Sequence, residues 1–207
     1  MKKILIADDH SIIRSGVDSF LKNTYPGVIT AQAINEETIL KQLQGSVFDL
    51  IIMDMHMPDT NIFRLIEFVH NTYRAMPILI FSMSPEKTFG LRVLKAGASG
   101  FLSKESPLEE MEKAIDQLLA NRKYVSNELA AVLADHSFSK TDNPFDSLSA
   151  REFQLANMLL LGKSLSDIAK QLKIEISTAS TYKTRIFNKL RVTNLFELKE
   201  LSSAYNL

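Results

Sequence analysis

Through the first 120 residues, short apolar runs alternate with longer stretches in which apolar residues recur at helical spacing. Ile4-Leu-Ile-Ala7, Val28-Ile-Thr-Ala-Gln-Ala33, Leu50-Ile-Ile-Met53, Ile78-Leu-Ile-Phe81 and Gly100-Phe-Leu102 read as strands. Most lack polar alternation, so they are expected to be covered on both faces. Helices are predicted between them near 11–23, 36–44, 62–73, 86–96 and 107–120. Five β–α units in strict alternation imply a doubly wound parallel α/β sheet with right-handed crossovers and helices on both sides.

The pattern loosens from 121 to 146. A short helix is expected near 126–134, and the stretch that follows, Asp135 to Asp146, is rich in turn formers and reads as a linker. Only helices follow, over 147–207. Ser149-Ala-Arg-Glu152 is a capping box opening a helix to about Leu161, closed by Gly162, and Ser164-Leu-Ser-Asp167 opens a second in the same way. A third is expected near 177–190 and a fourth near 194–204, which makes a small four-helix domain. Met53, Met83, Phe153 and Phe187 are assigned to cores.

Composition narrows the class of protein. The chain has 207 residues, 45% of them hydrophobic and 23% charged, enough for two ordinary globular domains. It has no cysteine, which rules out disulfides and thiolate metal sites. The apolar run at the N-terminus is too short for a signal peptide, and no stretch approaches the ~20 apolar residues that span a bilayer. A cytoplasmic protein with no membrane partner is expected. The formal net charge of zero hides an asymmetry: residues 1–120 carry 12 Lys+Arg against 15 Asp+Glu, whereas 147–207 carry 9 against 5. The two ends suit different partners.

In a parallel sheet the carboxyl ends of all strands share one edge, where ligands bind. Asp8 and Asp9 end the first strand, Asp54 the third and Ser82 the fourth, and Lys104 follows the fifth. Three carboxylates in one crevice repel one another unless a cation is present, and a hard divalent ion such as Mg2+ suits them. With their charge shielded by the ion and by Lys104, the Asp54 carboxylate could attack phosphorus, while Ser82 bonds to a phosphate oxygen. The bland alternative makes Asp8 and Asp9 helix caps and Asp54 a turn residue, which leaves Ser82 and Lys104 unexplained. No Gly-rich phosphate loop, Ser-His-Asp set or zinc-protease motif is present.

Asp8-Asp9, Asp54 with Met57-Pro58, Ser82, and Ala96-Gly-Ala-Ser-Gly-Phe-Leu-Ser-Lys104 resemble the receiver domain of bacterial two-component response regulators over residues 1–120. The resemblance implies a flavodoxin-like (βα)5 fold with strand order 2-1-3-4-5. It makes Asp54 the phosphoacceptor; Asp9, Asp54 and the backbone carbonyl of His56 Mg2+ ligands; and Asp8 the holder of a metal-bound water. Lys104 would pair with the phosphoryl group, and Ser82 and Phe101 would form the switch pair, Phe101 turning inward as Ser82 moves to the phosphate. One departure is Ile62, where the family usually has a glycine suited to positive φ; Asn61 is the candidate to take that conformation, or else the loop is rebuilt.

The third C-terminal helix has Ala179, Tyr182, Ile186 and Leu190 on one stripe and Ser177, Ser180, Thr181, Thr184 and Asn188 on the opposite one. Lys183, Arg185, Lys189 and Arg191 flank the polar stripe, where they could reach phosphates; a merely solvated charged face is the plain alternative. Leu148-Ser-Ala-Arg-Glu152, Gly162-Lys-Ser-Leu-Ser-Asp-Ile-Ala169 and Thr178-Ala-Ser-Thr-Tyr-Lys183 through Val192 resemble the helix-turn-helix output domain of the LuxR/NarL/FixJ family. That resemblance places base contacts at Ser180, Thr181 and Thr184. It implies promoter DNA, a sensor histidine kinase and, in the active state, a homodimer as partners. Glu175 stands where a capping Ser is usual, so the helix is expected to start at Ser177. Two other readings use the same acids differently: a phosphohydrolase with Asp54 as nucleophile, disfavoured because a general-acid Asp is absent at His56, and a receiver that works unphosphorylated.

Overall fold

The computed structural model describes residues 1–138 and 143–205. These divide into two compact units, one ending at Phe138 and one formed by the described residues after it. Part of the expected linker, 139–142, lies outside the described residues.

In the first unit, β1 (Lys3–Ala7), β2 (Ile29–Ala33), β3 (Leu50–Met53), β4 (Ile78–Ser82) and β5 (Gly100–Ser103) alternate with α1 (Ser11–Thr24), α2 (Glu36–Gly45), α3 (Ile62–Thr72), α4 (Glu86–Ala96) and α5 (Leu108–Leu119). All pairings are parallel, in the order β2-β1-β3-β4-β5. The central strand β3 is buried at every position because both faces are covered. Ile4, Ile6, Leu50, Ile52 and Leu79 join Val17 and Leu21 of α1 and Met111, Ile115 and Leu118 of α5 in one core. The alternate residues Leu5, Ile51, Met53 and Ile80 point to the opposite face, under α2, α3 and α4. Met83, expected in a core, is 62% exposed, because it lies in the loop just past the end of β4.

The expected linker helix is longer than its sequence pattern, α6 (Asn127–Phe138), and packs on α4 within the first unit. Between α5 and α6 the chain runs back along the sheet. Tyr124 bridges to Gly100, and its backbone N–H donates to the Ser99 carbonyl at 3.0 Å.

The second unit opens with a short 3-10 helix, Pro144–Ser147, where only turn residues were expected; Asn143 caps it and Phe145 is buried beneath it. Then come α7 (Ala150–Leu160), α8 (Leu165–Leu172), α9 (Ile176–Leu190) and α10 (Leu195–Ala204). The Ser149–Glu152 capping box forms with both arms, and Ser164 accepts from the Asp167 N–H. Arg151 donates to the Leu172 carbonyl at 2.8 Å, tying α7 to the end of α8. α9 starts at Ile176 rather than Ser177, with Glu175 in the cap position making no side-chain bond, since a long carboxylate does not reach back as a short one does.

Candidate phosphoacceptor pocket and helix-turn-helix face

Strand pairing brings the acids together. Asp54 follows β3 and donates its N–H to the Ala7 carbonyl at 2.8 Å, which sets it beside Asp8 at the end of β1. Lys104 is placed in the same way beyond β5, its N–H donating to the Ser82 carbonyl at 3.0 Å. Its ammonium donates to Asp8 Oδ2 at 2.6 Å and lies 3.3 Å from Asp54 Oδ2, all three side chains being buried. Asp54 is oriented by the Met55 N–H, which donates to Oδ1 at 2.8 Å. Oδ2 is left facing Lys104.

Asp9 sits at the exposed mouth. Asp8, Asp9, His10 and Asp54 each present a ligand atom, all within 4.8 Å of one another. The three carboxylates are hard oxygen donors, and the Lys104 ammonium, bound to Asp8 and close to Asp54, offsets only part of their charge, which suits them to a divalent cation of the Mg2+ type. The residues fit such an ion.

Two residues here were not singled out from the sequence. His10 Nδ1 lies 2.9 Å from Asp9 Oδ1 and 3.2 Å from Asp8 Oδ1, and its N–H donates to Asp8. Arg14, one turn further on, donates to the carbonyls of Asp8 and Asp9 at 2.8 and 3.2 Å, bracing the loop. The Asp8-Asp9-His10 run at a strand end and an arginine at i+4 from His10 were the available signals.

Ser82 is fully buried, and its Oγ accepts from the Ser84 N–H at 3.3 Å. Ser84 Oγ in turn lies 2.8 Å from His56 Nε2, so a chain of bonds joins the loops after β3 and β4. Phe101, on β5, is fully buried. The loop after Asp54 is rebuilt around Ile62. Asp59, not Asn61, takes positive φ (58°). Asn61 is extended and caps α3 by accepting from Arg64 N–H, and Ile62 opens the helix fully buried. An apolar first residue anchors α3 in the core where the family glycine would leave space.

On α9, Ala179, Ile186 and Leu190 are buried and Tyr182 half-buried, while Ser177, Ser180, Thr181, Thr184 and Asn188 are exposed, matching the projected stripes. The hydroxyls of Thr181 and Thr184 donate back to the carbonyls of Ser177 and Ser180, which leaves their lone pairs outward. Arg185 and Arg191 are exposed, and Lys183 lies over the Phe187 ring. Lys189 departs from its expected place at the DNA face: it donates to Glu152 Oε2 at 2.6 Å and to the Ser147 carbonyl.

Residues 4–116 match the response regulator receiver domain family, and residues 146–201 match the bacterial regulatory proteins of the luxR family. The chain belongs to the LuxR/NarL/FixJ response regulators. It is 34% identical to the response regulator GacA of Pseudomonas aeruginosa over 212 residues, covering 100% of this chain and 98% of GacA. UvrY of Escherichia coli K12 is 28% identical, with 100% of this chain and 96% of UvrY covered. RcsB of Salmonella enterica serovar Typhimurium, solved on promoter DNA in the presence of the phosphomimetic BeF3−, shares the fold with a TM-score of 0.70 at 22% identity over 98% of each chain. This response regulator therefore joins a receiver domain to a LuxR-type helix-turn-helix DNA-binding domain. Among the described residues, no helix is long and apolar enough to cross a membrane.

Proposed function

We propose that Asp54 accepts a phosphoryl group from a sensor histidine kinase in a Mg2+-dependent reaction in the cytoplasm, and that this controls promoter binding by α8 and α9. The receiver would occupy 1–120, the linker 121–146 and the DNA-binding domain 147–207. The observation that carries the reading is the Lys104 ammonium set against Asp8 and Asp54 at 2.6 and 3.3 Å in one buried pocket.

Met55 N–H fixes the Asp54 carboxylate, so Oδ2 is the oxygen placed to attack phosphorus. The new O–P bond forms as the N–P bond of the donor phosphohistidine breaks, the electron pair staying on the imidazole nitrogen. Lys104 neutralises charge on the transferring group, and the Ser82 hydroxyl, which accepts from the Ser84 N–H, keeps its own proton to donate to a phosphoryl oxygen. Asp9, Asp54 and the His56 backbone carbonyl would hold Mg2+, with Asp8 reaching it through water. The ion supplies charge neutralisation. The chain transfers phosphate to itself and has no turnover on a separate substrate.

Ser180, Thr181 and Thr184 would meet base edges, with Lys183, Arg185 and Arg191 on phosphates of double-stranded promoter DNA, bound by a homodimer. Incubation with acetyl phosphate and Mg2+, read by phosphate-affinity electrophoresis and followed by mobility shift on genomic fragments, tests the reading. The wild-type chain should be labelled and Asp54→Asn not. Labelling that persists in Asp54→Asn would move the acceptor elsewhere.

A further inference from the structure

We propose that α9 reads A·T pairs at the centre of each half-site, through thymine methyls and adenine amino groups, and selects against guanine there. The inference rests on Ser180, Thr181 and Thr184 being the side chains that meet base edges.

The hydroxyl protons decide which partners these side chains can take. Thr181 Oγ1 donates to the Ser177 carbonyl at 2.9 Å, and Thr184 Oγ1 donates to the Ser180 carbonyl at 3.1 Å. A carbonyl cannot donate, so each threonine has committed its one proton inside the helix, and its oxygen can only accept from outside. Both threonines are exposed and, at i and i+3, are neighbours on the helix surface, so they present two such acceptors side by side. Ser180 takes part through its carbonyl; its own hydroxyl can still give or accept and discriminates little.

The same bonds hold the methyl groups. Threonine is stiff at χ1, and a hydroxyl tied to the preceding turn fixes it further, so each methyl is in place before DNA arrives. Less freedom is then lost on binding.

In the major groove the donors are adenine N6 and cytosine N4, while guanine shows two acceptors, N7 and O6. Guanine therefore turns acceptors toward oxygens that have no proton to offer. Adenine gives an amino hydrogen to such an oxygen, and its thymine partner sets a C5-methyl where a threonine methyl can cover it. Cytosine N4 would suit the oxygen, but its pair brings guanine to the same edge and no methyl. A·T and T·A alone satisfy oxygen and methyl together. The lysines of α9 do not change this balance: Lys183 Nζ lies 5.2 Å from the centre of the Phe187 ring and Lys189 is bonded to Glu152, so neither is set on the reading stripe as a long donor to guanine. Asn188, exposed one turn beyond Thr184, is itself of the type that grips adenine.

The test takes the full-length chain, treated with acetyl phosphate and Mg2+, and a pool of randomised duplexes. Enriched half-sites should carry A·T pairs at their centres. Deoxyuridine in place of those thymines removes only the methyls and should weaken wild-type binding about threefold per methyl. Thr181→Ser/Thr184→Ser keeps both hydroxyls and loses both methyls; it should bind the thymine duplex several-fold more weakly than wild type and show no further loss with deoxyuridine. Both positions are exposed, and the deoxyuridine arm leaves the protein unaltered, so a folding defect cannot mimic the result. Enriched centres of G·C pairs, or an equal deoxyuridine penalty in wild type and variant, overturn the inference while leaving α9 as the DNA-reading helix. A pool that shows no enrichment overturns the base-reading assignment on which it rests.

Discussion

Lys104 holds its ammonium 2.6 Å from Asp8 and only 3.3 Å from Asp54, so the buried lysine is shared by acids from two strands and leans toward the first. Lys104→Gln would leave the acids facing one another without a cation, and removing one partner of a buried ion pair costs about 3 kcal/mol. Urea unfolding in EDTA should register that loss, and millimolar Mg2+ should recover part of it. Equal midpoints for wild type and variant in EDTA would show that the lysine does not offset the acids.

Lys189 and Glu152 form the analogous pair in the second unit. Burial pushes the Glu152 carboxyl up, but the bonds from Lys189 and Ser149 outweigh it and leave it below its ordinary 4.5. A depressed carboxyl contributes stability that is present above 4.5 and lost as pH falls through the lower folded value. Lys189→Met should cost about 1–2 kcal/mol at pH 7, because the lysine is partly solvated, and little at pH 3. A cost that does not shrink on acidification would remove the ion pair as its cause.

The same pair separates the basic residues of α9 in DNA binding. Each phosphate contact contributes about 0.9 to the slope of log K against log salt. Arg185→Ala and Arg191→Ala should each flatten that slope by about this amount, whereas Lys189→Met should leave it unchanged and act through stability. A titration of binding from low to moderate salt decides it.

Burial, first, and the nearby Glu128 charge raise the Glu86 carboxyl above its ordinary 4.5, with the Ser126 bond opposing. A raised carboxyl gives stability that is complete below 4.5 and declines as pH rises through the folded value. Glu86→Gln, which cannot ionise, should therefore raise the melting temperature at pH 7 and flatten its decline above pH 4.5. A lower melting temperature at pH 7 would count against the unpartnered charge.

Gly97 ends α4 at φ 114°, and an added Cβ there would lie 2.6 Å from the His70 ring. Gly97→Ala meets both backbone strain and a clash, and should cost about 2–3 kcal/mol in chemical denaturation. A neutral result would mean that the loop into β5 can re-form.

The sheet and its acidic edge were legible because parallel strands announce themselves as unbroken apolar runs, and topology alone carries Asp8, Asp54, Ser82 and Lys104 to one rim. What escaped depended on side-chain reach. Lys189 looks like a DNA-facing lysine by helical projection, yet its long stem lets it turn back to Glu152, which the capping box of α7 holds in place. Asp59 took the positive φ expected of Asn61 because Asn61 was more useful as a cap for a helix whose first residue, Ile62, enters the core. The seat of α6 on α4 sets Leu129 over Gly90, a close approach that no sequence pattern announces before the two helices are side by side.

Tyr124 lends the receiver a protection unrelated to signalling. A parallel sheet ends in strands whose outer backbone groups could template a foreign strand. By pairing with Ser99 and Gly100, the returning chain occupies part of that margin at β5. Self-association into cross-strand aggregates is thereby discouraged along this side, and the half-exposed β2 is left as the flank where it would begin.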